Sequence, residues 1–366
     1  MHVNTHMNIG GIGQYILSLS AAIKRKGVEC IVASSGGELE EELKKSGIEH
    51  RRIDIKTKFE FAPKVFFAAS GIADIVKKEN IDIIHAHTRV SQVAAGFAAQ
   101  RTGARYISTC HGFFKPRLSR RLFDTWGEKV VAISAPVKAH LEMDFGIRPS
   151  RIELIHNGVD TERFSKDYSG EELAALKRSI GLDDGPVIGT MGRLSSVKGQ
   201  RFLIEAMKYV AAKKPMAQCL IIGSGPEEGA LKEFARATGV EGRINFTGSV
   251  YKNIAGYLSC MDVFVLPSIK EGLGLALLEA MAARRPCVAS DVGGIVDIIK
   301  DRVNGMVAPV ANGVAIADAV LELLNDRSLS YRLAGEGRNF VKANFSIDVM
   351  ACRMAALYNR VVDEKK

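Results

Sequence analysis

Two glutamates and a glycine-rich loop in the second half of the chain are the first residues whose types and spacing could do chemistry. Glu271 lies in the loop with Gly272, and Glu279 follows after seven further residues, inside an apolar segment predicted to be a helix. An acid on an apolar face costs free energy unless a partner or ligand holds it, so Glu279 is a site candidate. The N–H groups of Gly274 and Leu275, at the helix start, suit a phosphate. The alternative is that Glu279 is half exposed at the helix edge.

Two cations follow another predicted strand. Arg193 and Lys198 lie in a loop of small residues directly after the apolar run Val187–Met191. Arginine offers a planar fork and lysine a point charge, so the pair could bind a diphosphate. The loop is not a complete phosphate loop of the Gly-x4-Gly-Lys-Ser type, and a solvated loop with two surface cations is the alternative.

Three histidines fall at the ends of two predicted strands. His85 and His87 are two residues apart and so share one face, and His111 ends the next strand. Zinc ligation is one interpretation and ordinary hydrogen bonding at strand ends is another. A histidine that faces a substrate is the third, because parallel sheets bind ligands beyond the carboxyl ends of their strands.

A glycine turn near the start of the chain resembles part of a dinucleotide-binding fingerprint. Gly10, Gly11 and Gly13 would let a ligand approach the start of a helix. Ile16 occupies the position of the third glycine, and the second strand ends in Ala33-Ser34-Ser35, without the acid that holds a cofactor ribose. These departures disfavour NAD and leave a tight turn without a ligand as an alternative.

The elements that must position these residues are short apolar strands alternating with amphipathic helices, which predicts an α/β protein with two doubly wound parallel sheets. The break between the two sheets is expected within 161–186.

The first strand is so short that we expect the natural chain to start upstream of Met1. The predicted strands are Cys30–Ala33, Ile81–His85, Tyr106–Thr109, Lys129–Ile133, Ile152–Ile155, Val187–Met191, Gln218–Ile222, Ile244–Thr247, Val263–Leu266 and Pro286–Ala289. The predicted helices include Gly13–Lys24, Lys64–Lys77, Gln200–Val210, Glu227–Thr238 and Ile347–Val362.

Composition sets the class of protein. The chain has 366 residues, of which 47% are hydrophobic, and this is more apolar material than a single hydrophobic core can bury. Its net charge is +9. No apolar run is long enough for a membrane span, and the first residues do not form a signal peptide. The six cysteines are scattered without a Cys-x-x-Cys pair, which predicts reduced, buried thiols and a soluble cytoplasmic protein.

The sharpest basic patch follows His111. Lys115, Arg117, Arg120 and Arg121 alternate there with aromatic and aliphatic residues, and residues 101–121 contain no acid. This amphipathic stripe predicts peripheral contact with an anionic membrane beside a lipid-linked acceptor. A solvated face and a site for a soluble acidic acceptor are equally open alternatives. Nucleic acid is disfavoured, because no helix-turn-helix, zinc-finger or RNA-recognition pattern is present.

These motifs, taken in order, resemble the family 4 retaining glycosyltransferases. The resemblance runs from Gly10-Gly11 through His156-Asn157-Gly158-Val159-Asp160 to the glutamate pair and Ser290-Asp291-Val292-Gly293-Gly294. It implies the GT-B fold, in which two Rossmann-like domains face each other across a cleft. The acceptor domain would span 1–165 and the nucleotide-sugar domain 166–345. A final helix in 346–366 would pack back on the first domain.

The resemblance also implies roles for the donor site. Arg193 and Lys198 would bind the donor diphosphate with the Gly274 and Leu275 amides, and Glu279 would accept hydrogen bonds from the ribose. Glu271 and His111 would be the catalytic residues: Glu271 would hold the hydroxyls of the transferred sugar and stabilise its developing charge, and His111 would contact that sugar. Gly272 would bind the donor, the backbone near Val250 would contact the nucleobase, and Gly11 would let the loop approach donor and acceptor.

The implied activity is retaining, metal-independent transfer from a nucleotide-sugar, a UDP-sugar being favoured over GDP-mannose, to a cell-envelope glycan or lipid-linked acceptor. No Asp-x-Asp occurs in the sequence, which agrees with an enzyme that needs no metal or other cofactor. A glycogen- or sucrose-type synthase is the alternative within the fold class. The rivals from other classes are an NAD-dependent oxidoreductase and a non-catalytic solute-binding module.

Overall fold

Two parallel sheets organise the chain in the computed structural model, which describes residues 1–116 and 124–364. The first unit combines Met1–Gly158 with Ile347–Lys366, and the second unit is Val159–Ser346. None of the helices in the described ranges is long and apolar enough to cross a membrane.

The first unit is built on a parallel sheet of short strands. They are β1 (His2–Val3), β2 (Ile31–Ser34), β3 (Glu49–Arg52), β4 (Ile83–Ala86), β5 (Arg105–Cys110), β6 (Lys129–Ala132) and β7 (Ile152–Leu154). Their order across the sheet is β3-β2-β1-β4-β5-β6-β7. The chain order reverses between β1 and β4, and this switch point is where open parallel sheets bind ligands.

Helices cover both faces of this sheet. They are α1 (Gly11–Lys24), α2 (Glu40–Lys45), α3 (Pro63–Lys78), α4 (Arg89–Thr102) and α5 (Ala135–Phe145). One core lies under α1 and contains the fully buried Ile16 and Leu19, and a second lies under α3 and α4. Each fully buried side chain of this size contributes about 1.5–3 kcal/mol relative to exposure.

The second unit repeats this plan. Its strands are β8 (Val187–Met191), β9 (Gln218–Ile222), β10 (Ile244–Gly248), β11 (Val263–Leu266), β12 (Cys287–Ser290) and β13 (Met306–Ala308). They pair in parallel in the order β10-β9-β8-β11-β12-β13, with the switch point between β8 and β11. Its helices are α6 (Gly170–Ser179), α7 (Gln200–Lys213), α8 (Glu228–Ala237), α9 (Ile254–Ser259), α10 (Leu275–Ala282), α11 (Gly313–Asn325) and α12 (Arg327–Asn344).

The last described helix, α13 (Ile347–Asp363), returns to the first unit. Met350, Met354 and Leu357 are buried in the core that α1 also covers. The phenol of Tyr358 is hydrogen-bonded to Nδ1 of His85, 273 positions earlier in sequence, at 2.7 Å. Residues at both ends of the chain therefore build one core.

The predicted α/β class is confirmed, and each predicted strand lies within two residues of an observed strand at both ends. The edge strands β3 and β13 were not predicted. The sequence of β3 is Glu-His-Arg-Arg, and none of these residues is fully buried. A strand at the sheet edge can therefore be polar and lack the apolar run that marks the other strands. Contacts divide the units after Gly158, seven residues before the expected boundary at 165. The expectation of buried thiols is wrong for Cys352, which is exposed on α13.

Candidate active site

The carboxyl ends of β8 and β11 are neighbours at the switch point of the second sheet. The chain leaves β8 through Arg193 and a 3-10 turn, Ser196–Lys198, and it leaves β11 through Ser268 and the Glu271 loop. The two loops are joined through the backbone, because Ile269 N donates to Val197 O at 2.8 Å. Residues from two separate sequence motifs therefore meet at one edge of the sheet.

Lys198 and Glu271 form an ion pair at this edge. Lys198 Nζ donates to Glu271 Oε2 at 2.6 Å, and Ser268 Oγ donates to the same oxygen at 3.1 Å. The side chains are 28% and 12% exposed, so the pair is partly screened from water yet reachable by a ligand. Lys198, predicted to contact the diphosphate, and Glu271, predicted to contact the sugar, therefore bind each other in this structure.

Glycines allow the loops around this pair to approach closely. A Cβ added to Gly199 would lie 2.0 Å from Pro267 O, at the end of β11. Cβ atoms on Gly293 and Gly294 would lie 2.1 Å from the carbonyl oxygens of Glu271 and Gly272. Only glycine fits at these three positions, since real Cβ atoms do not approach a carbonyl oxygen that closely. Backbone packing therefore fixes the Glu271 loop from both sides.

Helix α10 starts directly after that loop. Gly274 is its N-cap, with a φ of 108° that favours glycine, and Leu275 is the first helical residue. The first N–H groups of a helix have no partner within the helix, and the helix dipole places partial positive charge there. This end of α10 is suited to a phosphate group.

Glu279 lies one turn into α10 and is half-buried. Burial raises the pKa of its carboxyl to about 7, and the charge of Arg163 opposes that rise. At neutral pH Glu279 is therefore close to half protonated. A carboxyl of this kind gains free energy when hydroxyl groups donate hydrogen bonds to its ionised form.

The remaining predicted donor residues lie along the same edge. Arg193 is exposed, and its carbonyl accepts a hydrogen bond from Gln200 Nε2 at 3.1 Å. Val250 follows the outer strand β10, where Ser249 Oγ and Ser224 Oγ are 2.6 Å apart. Leu194 N donates to Ser224 O, so the ends of β8 and β9 are linked. In this unit a phosphate-bearing ligand would find cations, helix N–H groups and two carboxylates together.

In the first unit, Gly11 and Gly13 have different surroundings. A Cβ on Gly13 would lie 2.5 Å from Asn8 O, so packing requires glycine there. A Cβ on Gly11 would meet no atom within 4 Å, and Gly11 does not have a positive φ. Neither packing nor backbone conformation explains Gly11, whereas open space at the start of α1 suits a ligand.

The histidines form a chain of hydrogen bonds at the switch point of the first sheet. His87 Nδ1 and His111 Nε2 are 3.2 Å apart, and His2 Nδ1 and His87 Nε2 are 2.9 Å apart. His85 instead contacts Thr109 Oγ1 and the Tyr358 phenol, each at 2.7 Å. Burial lowers the pKa of His2, His85 and His87, and it lowers that of His111 to about 3. All four rings are therefore neutral at pH 7.

A neutral imidazole has one donor and one acceptor nitrogen. The chain His2–His87–His111 is consequently fully bonded in two forms, with every proton on Nδ1 or every proton on Nε2. The nitrogens that could bind a metal, within 4.8 Å of one another, belong to His2, His85 and His87. This group contains His2 in place of the expected His111.

Of the predicted acceptor or membrane face, the structure places one residue. Lys115 is exposed. Arg117, Arg120 and Arg121 lie outside the described residues.

Several contributors were not predicted. Ser268 is fully buried against Glu271, and a small polar residue directly after an apolar strand was the available signal. His2 and Tyr358 join the histidine network from opposite ends of the sequence, and no local pattern marks them.

Comparisons with known proteins identify the family. Residues 9–163 match the family model described as Glycosyltransferase Family 4, and residues 185–326 match the model described as Glycosyl transferases group 1. A GDP-mannose-dependent monoacylated alpha-(1-6)-phosphatidylinositol monomannoside mannosyltransferase of Corynebacterium glutamicum is 30% identical over 303 residues, 78% of each chain. A UDP-Gal:alpha-D-GlcNAc-diphosphoundecaprenol alpha-1,3-galactosyltransferase of Escherichia coli is 27% identical over 308 residues, 80% of this chain and 78% of that one.

Solved structures agree on the fold. The Anabaena protein HepE, crystallised in complex with UDP and glucose, superposes with a TM-score of 0.85 at 19% identity, covering 98% of each chain. This likeness confirms the predicted GT-B fold class. With the two family models and a relative at 30% identity, the conclusion is that the chain is a hexosyltransferase-type enzyme and belongs to the group 1, family 4 glycosyltransferases.

Proposed function

We propose that this enzyme is a retaining, metal-independent glycosyltransferase that moves a sugar from a nucleotide-sugar to a lipid-linked or other cell-envelope glycan acceptor, in the cytoplasm or at the inner face of its membrane. A UDP-sugar is the favoured donor and GDP-mannose the alternative. The proposed donor site rests on one observation: Lys198, Glu271 and the start of α10 all lie at the switch point of the second sheet.

The chemistry follows from charge. Breaking the bond between sugar and phosphate leaves negative charge on the diphosphate and positive charge on the sugar. Lys198, Arg193 and the N–H groups at the start of α10 would stabilise the diphosphate without a metal. Glu271 would stabilise the sugar, and Glu279 would accept hydrogen bonds from the ribose. For retention, the acceptor oxygen attacks from the side that the diphosphate leaves, and the leaving phosphate takes the acceptor's proton.

Two relatives support a nucleotide-sugar donor and a lipid-bearing acceptor, and they divide between the two candidate donors. One uses GDP-mannose and a phosphatidylinositol mannoside, and the other uses UDP-Gal and a diphosphoundecaprenol-linked sugar. Both acceptors carry a lipid, which agrees with a membrane-associated substrate.

Thermal shift with UDP, GDP, ADP, CMP and NAD, each with and without EDTA, tests the donor half. A ligand at 100 times its dissociation constant stabilises the folded state by about 2.7 kcal/mol. We expect one nucleoside diphosphate to raise the melting temperature equally in both conditions. A shift with NAD alone, or a shift that EDTA abolishes, would contradict the proposal.

A second observation supports the membrane side. The described residues include an exposed group of phenylalanines around the start of α3, which we call the aromatic surface: Phe59, Phe61, Phe66 and Phe67. Phe59 and Phe67 are 77% and 78% exposed, and the exposed Lys56 and Lys58 lie beside them in sequence. Exposed aromatic side chains beside lysines suit the interface of an anionic bilayer.

A buried contact holds this surface in place. Glu60, between Phe59 and Phe61, accepts a hydrogen bond from Arg89 Nε at 2.8 Å. Arg89 is the first residue of α4, and its side chain is 9% exposed. The loop is thus tied to the carboxyl end of β4 while its phenylalanines face solvent.

Vesicle binding tests this half. Each phenylalanine buried in lipid contributes about 1.5–3 kcal/mol, so Phe59→Ser with Phe67→Ser should weaken binding to phosphatidylglycerol vesicles at least about a hundredfold. Changing Arg117, Arg120 and Arg121 to Glu should weaken it as well. Met143→Ser with Met216→Ser, also exposed, is the matched control. Unchanged binding in both test variants, together with transfer to a soluble glucan, would favour the glycogen- or sucrose-type alternative.

A further inference from the structure

A cationic cavity lies at the opposite end of the second sheet from Lys198 and Glu271. It has a volume of about 450 Å³, and we call it the arginine pocket. Arg284 and Arg285 line it from the turn before β12, and Asp262 lines it from the residue before β11. These positions are at the amino ends of the strands, whereas the candidate donor site is at their carboxyl ends. Its other charged lining residues are Lys166, Asp167, Arg327 and Arg338.

The charge of this pocket is unbalanced. Five cations line it against two carboxylates, Asp167 and Asp262, and one of the five, Lys166, also contacts Glu172 Oε1 outside the lining at 3.3 Å. Asp262 Oδ2 already accepts a hydrogen bond from Val187 N at 2.8 Å. Within the described part of the chain, no carboxylate lies within ion-pair distance of any of the four arginines. Elsewhere in the same unit, Arg236 and Arg302 pair with Glu241 and Glu322.

Two of the arginines are held in position. Arg284 has a φ of 56°, a conformation that costs free energy in a residue with a Cβ, and its guanidinium lies 4.3 Å above the ring of Tyr331. Arg285 donates to the carbonyl oxygens of Ala283 and Met261 at 3.0 and 3.2 Å. Ordinary surface arginines are mobile and solvated, whereas these two are fixed at the wall of a cavity.

We propose that the arginine pocket is a second ligand site of this enzyme and binds the phosphate group of a small, water-soluble phosphorylated molecule. Arginine forks match phosphate geometry, and the bound anion would relieve the repulsion among the cations. The volume lies within the range of small-molecule sites and leaves room for a sugar or nucleoside beside the phosphate. The exposed ring of Tyr331 forms part of that wall.

Calorimetry on the full chain tests this site. Inorganic pyrophosphate should also bind the proposed donor site, so the titration is done in Lys198→Ala, which removes that class of binding. Arg284→Asn with Arg338→Gln should then weaken the remaining pyrophosphate binding at least about tenfold, since hydrogen bonds to charged groups are lost. Asn tolerates the backbone conformation of Arg284. AMP and glucose 6-phosphate, titrated next, identify the organic part.

The matched control removes the same charge elsewhere in the unit. Arg236→Gln with Arg332→Gln, both exposed on helices, should change the affinity for pyrophosphate less than about twofold. Equal losses in the two double variants, or no loss in either, would overturn the proposal. Arg327→Gln, a milder change in the same pocket, should weaken pyrophosphate binding as well. Melting curves of this variant and of Arg284→Asn with Arg338→Gln, recorded without ligand, show whether either has lost folding. Normal sugar transfer by Lys198→Ala would contradict the proposed donor site and leave the arginine pocket standing.

Discussion

Lys198 Nζ lies 2.6 Å from Glu271 Oε2, so the cation proposed to bind the donor diphosphate is paired with the carboxylate proposed to face the sugar. A donor must exchange this ion pair for its own contacts. Until a donor binds, Glu271 neutralises the charge that the diphosphate would neutralise on Lys198, and the ion pair holds the two loops together.

Glu271→Gln should therefore separate binding from turnover. We expect the affinity for the matching nucleoside diphosphate to rise up to about fivefold, because partly exposed ion pairs contribute about 0.2–1 kcal/mol and Lys198 no longer has to leave one. Sugar transfer should fall strongly. Isothermal titration and a turnover assay measure the two quantities. Lys198→Ala should lose binding, and the exposed Lys213→Ala is its control; equal affinities in all four proteins would contradict the prediction.

Glu279→Gln should change how stability depends on pH. The native pKa of Glu279 is about 7, above the value of 4.5 for an unperturbed glutamate. The native state thus binds more protons than the unfolded state between these values, and the free energy of unfolding falls as pH rises through them. The cost above pH 7 is up to about 3 kcal/mol. We expect the variant to melt higher than the wild type at pH 8 and equally at pH 4.5.

The same residue should couple protons to ligand binding. If ribose hydroxyls donate to ionised Glu279, nucleotide binding near pH 7 releases a proton, which titrations in buffers of different ionisation enthalpy detect. Glu233→Gln, exposed on α8, is the control for both measurements. Proton uptake on binding would exclude this role for Glu279.

His87→Gln should make the first unit more tolerant of acid. Burial lowers the pKa of His87, so below pH 6.5 this imidazole binds a proton in the unfolded state but not in the native state. Stability is then lost as pH falls, at about 1.4 kcal/mol per pH unit for each such histidine. The slope of the unfolding free energy between pH 6 and 5 should be lower in the variant by about that amount. At pH 8 the slopes should coincide; a parallel loss at every pH would indicate a packing role alone.

Gly11→Ala and Gly13→Ala should separate function from folding. The methyl group at position 13 would clash with Asn8 O, so we expect a loss of stability of more than about 1 kcal/mol. The methyl group at position 11 meets open space, so we expect melting to change by less than about 0.5 kcal/mol while transfer falls. Full activity in Gly11→Ala would remove Gly11 from the site.

The layout of the site could be predicted because strand ends are local features. Arg193, Glu271 and His111 each follow an apolar strand, and a parallel sheet brings such ends to one edge. The order of strands, which selects the neighbours of each end, depends on pairing between distant segments. Only the structure therefore showed that Lys198 contacts Glu271, 73 positions away.

Other features depend on burial, which a sequence pattern does not quantify. The raised pKa of Glu279 needs the half-buried position of its carboxyl on α10. The His2 and Tyr358 contacts join both ends of the chain through a strand of two residues and the helix α13. The arginine pocket combines four separate segments, none of which carries a recognisable motif.

The return of α13 to the first unit has a consequence for biosynthesis. A ribosome completes Met1–Gly158 and then adds all of Val159–Ser346 before it makes the helix that covers α1. At 5–20 residues per second this delay is about 10–40 s. During this time the apolar surface that Met354 and Leu357 will cover remains exposed. The middle of the polypeptide can meanwhile become native. A nascent chain arrested just before Ile347 should therefore expose a chaperone-binding surface on its amino-terminal part.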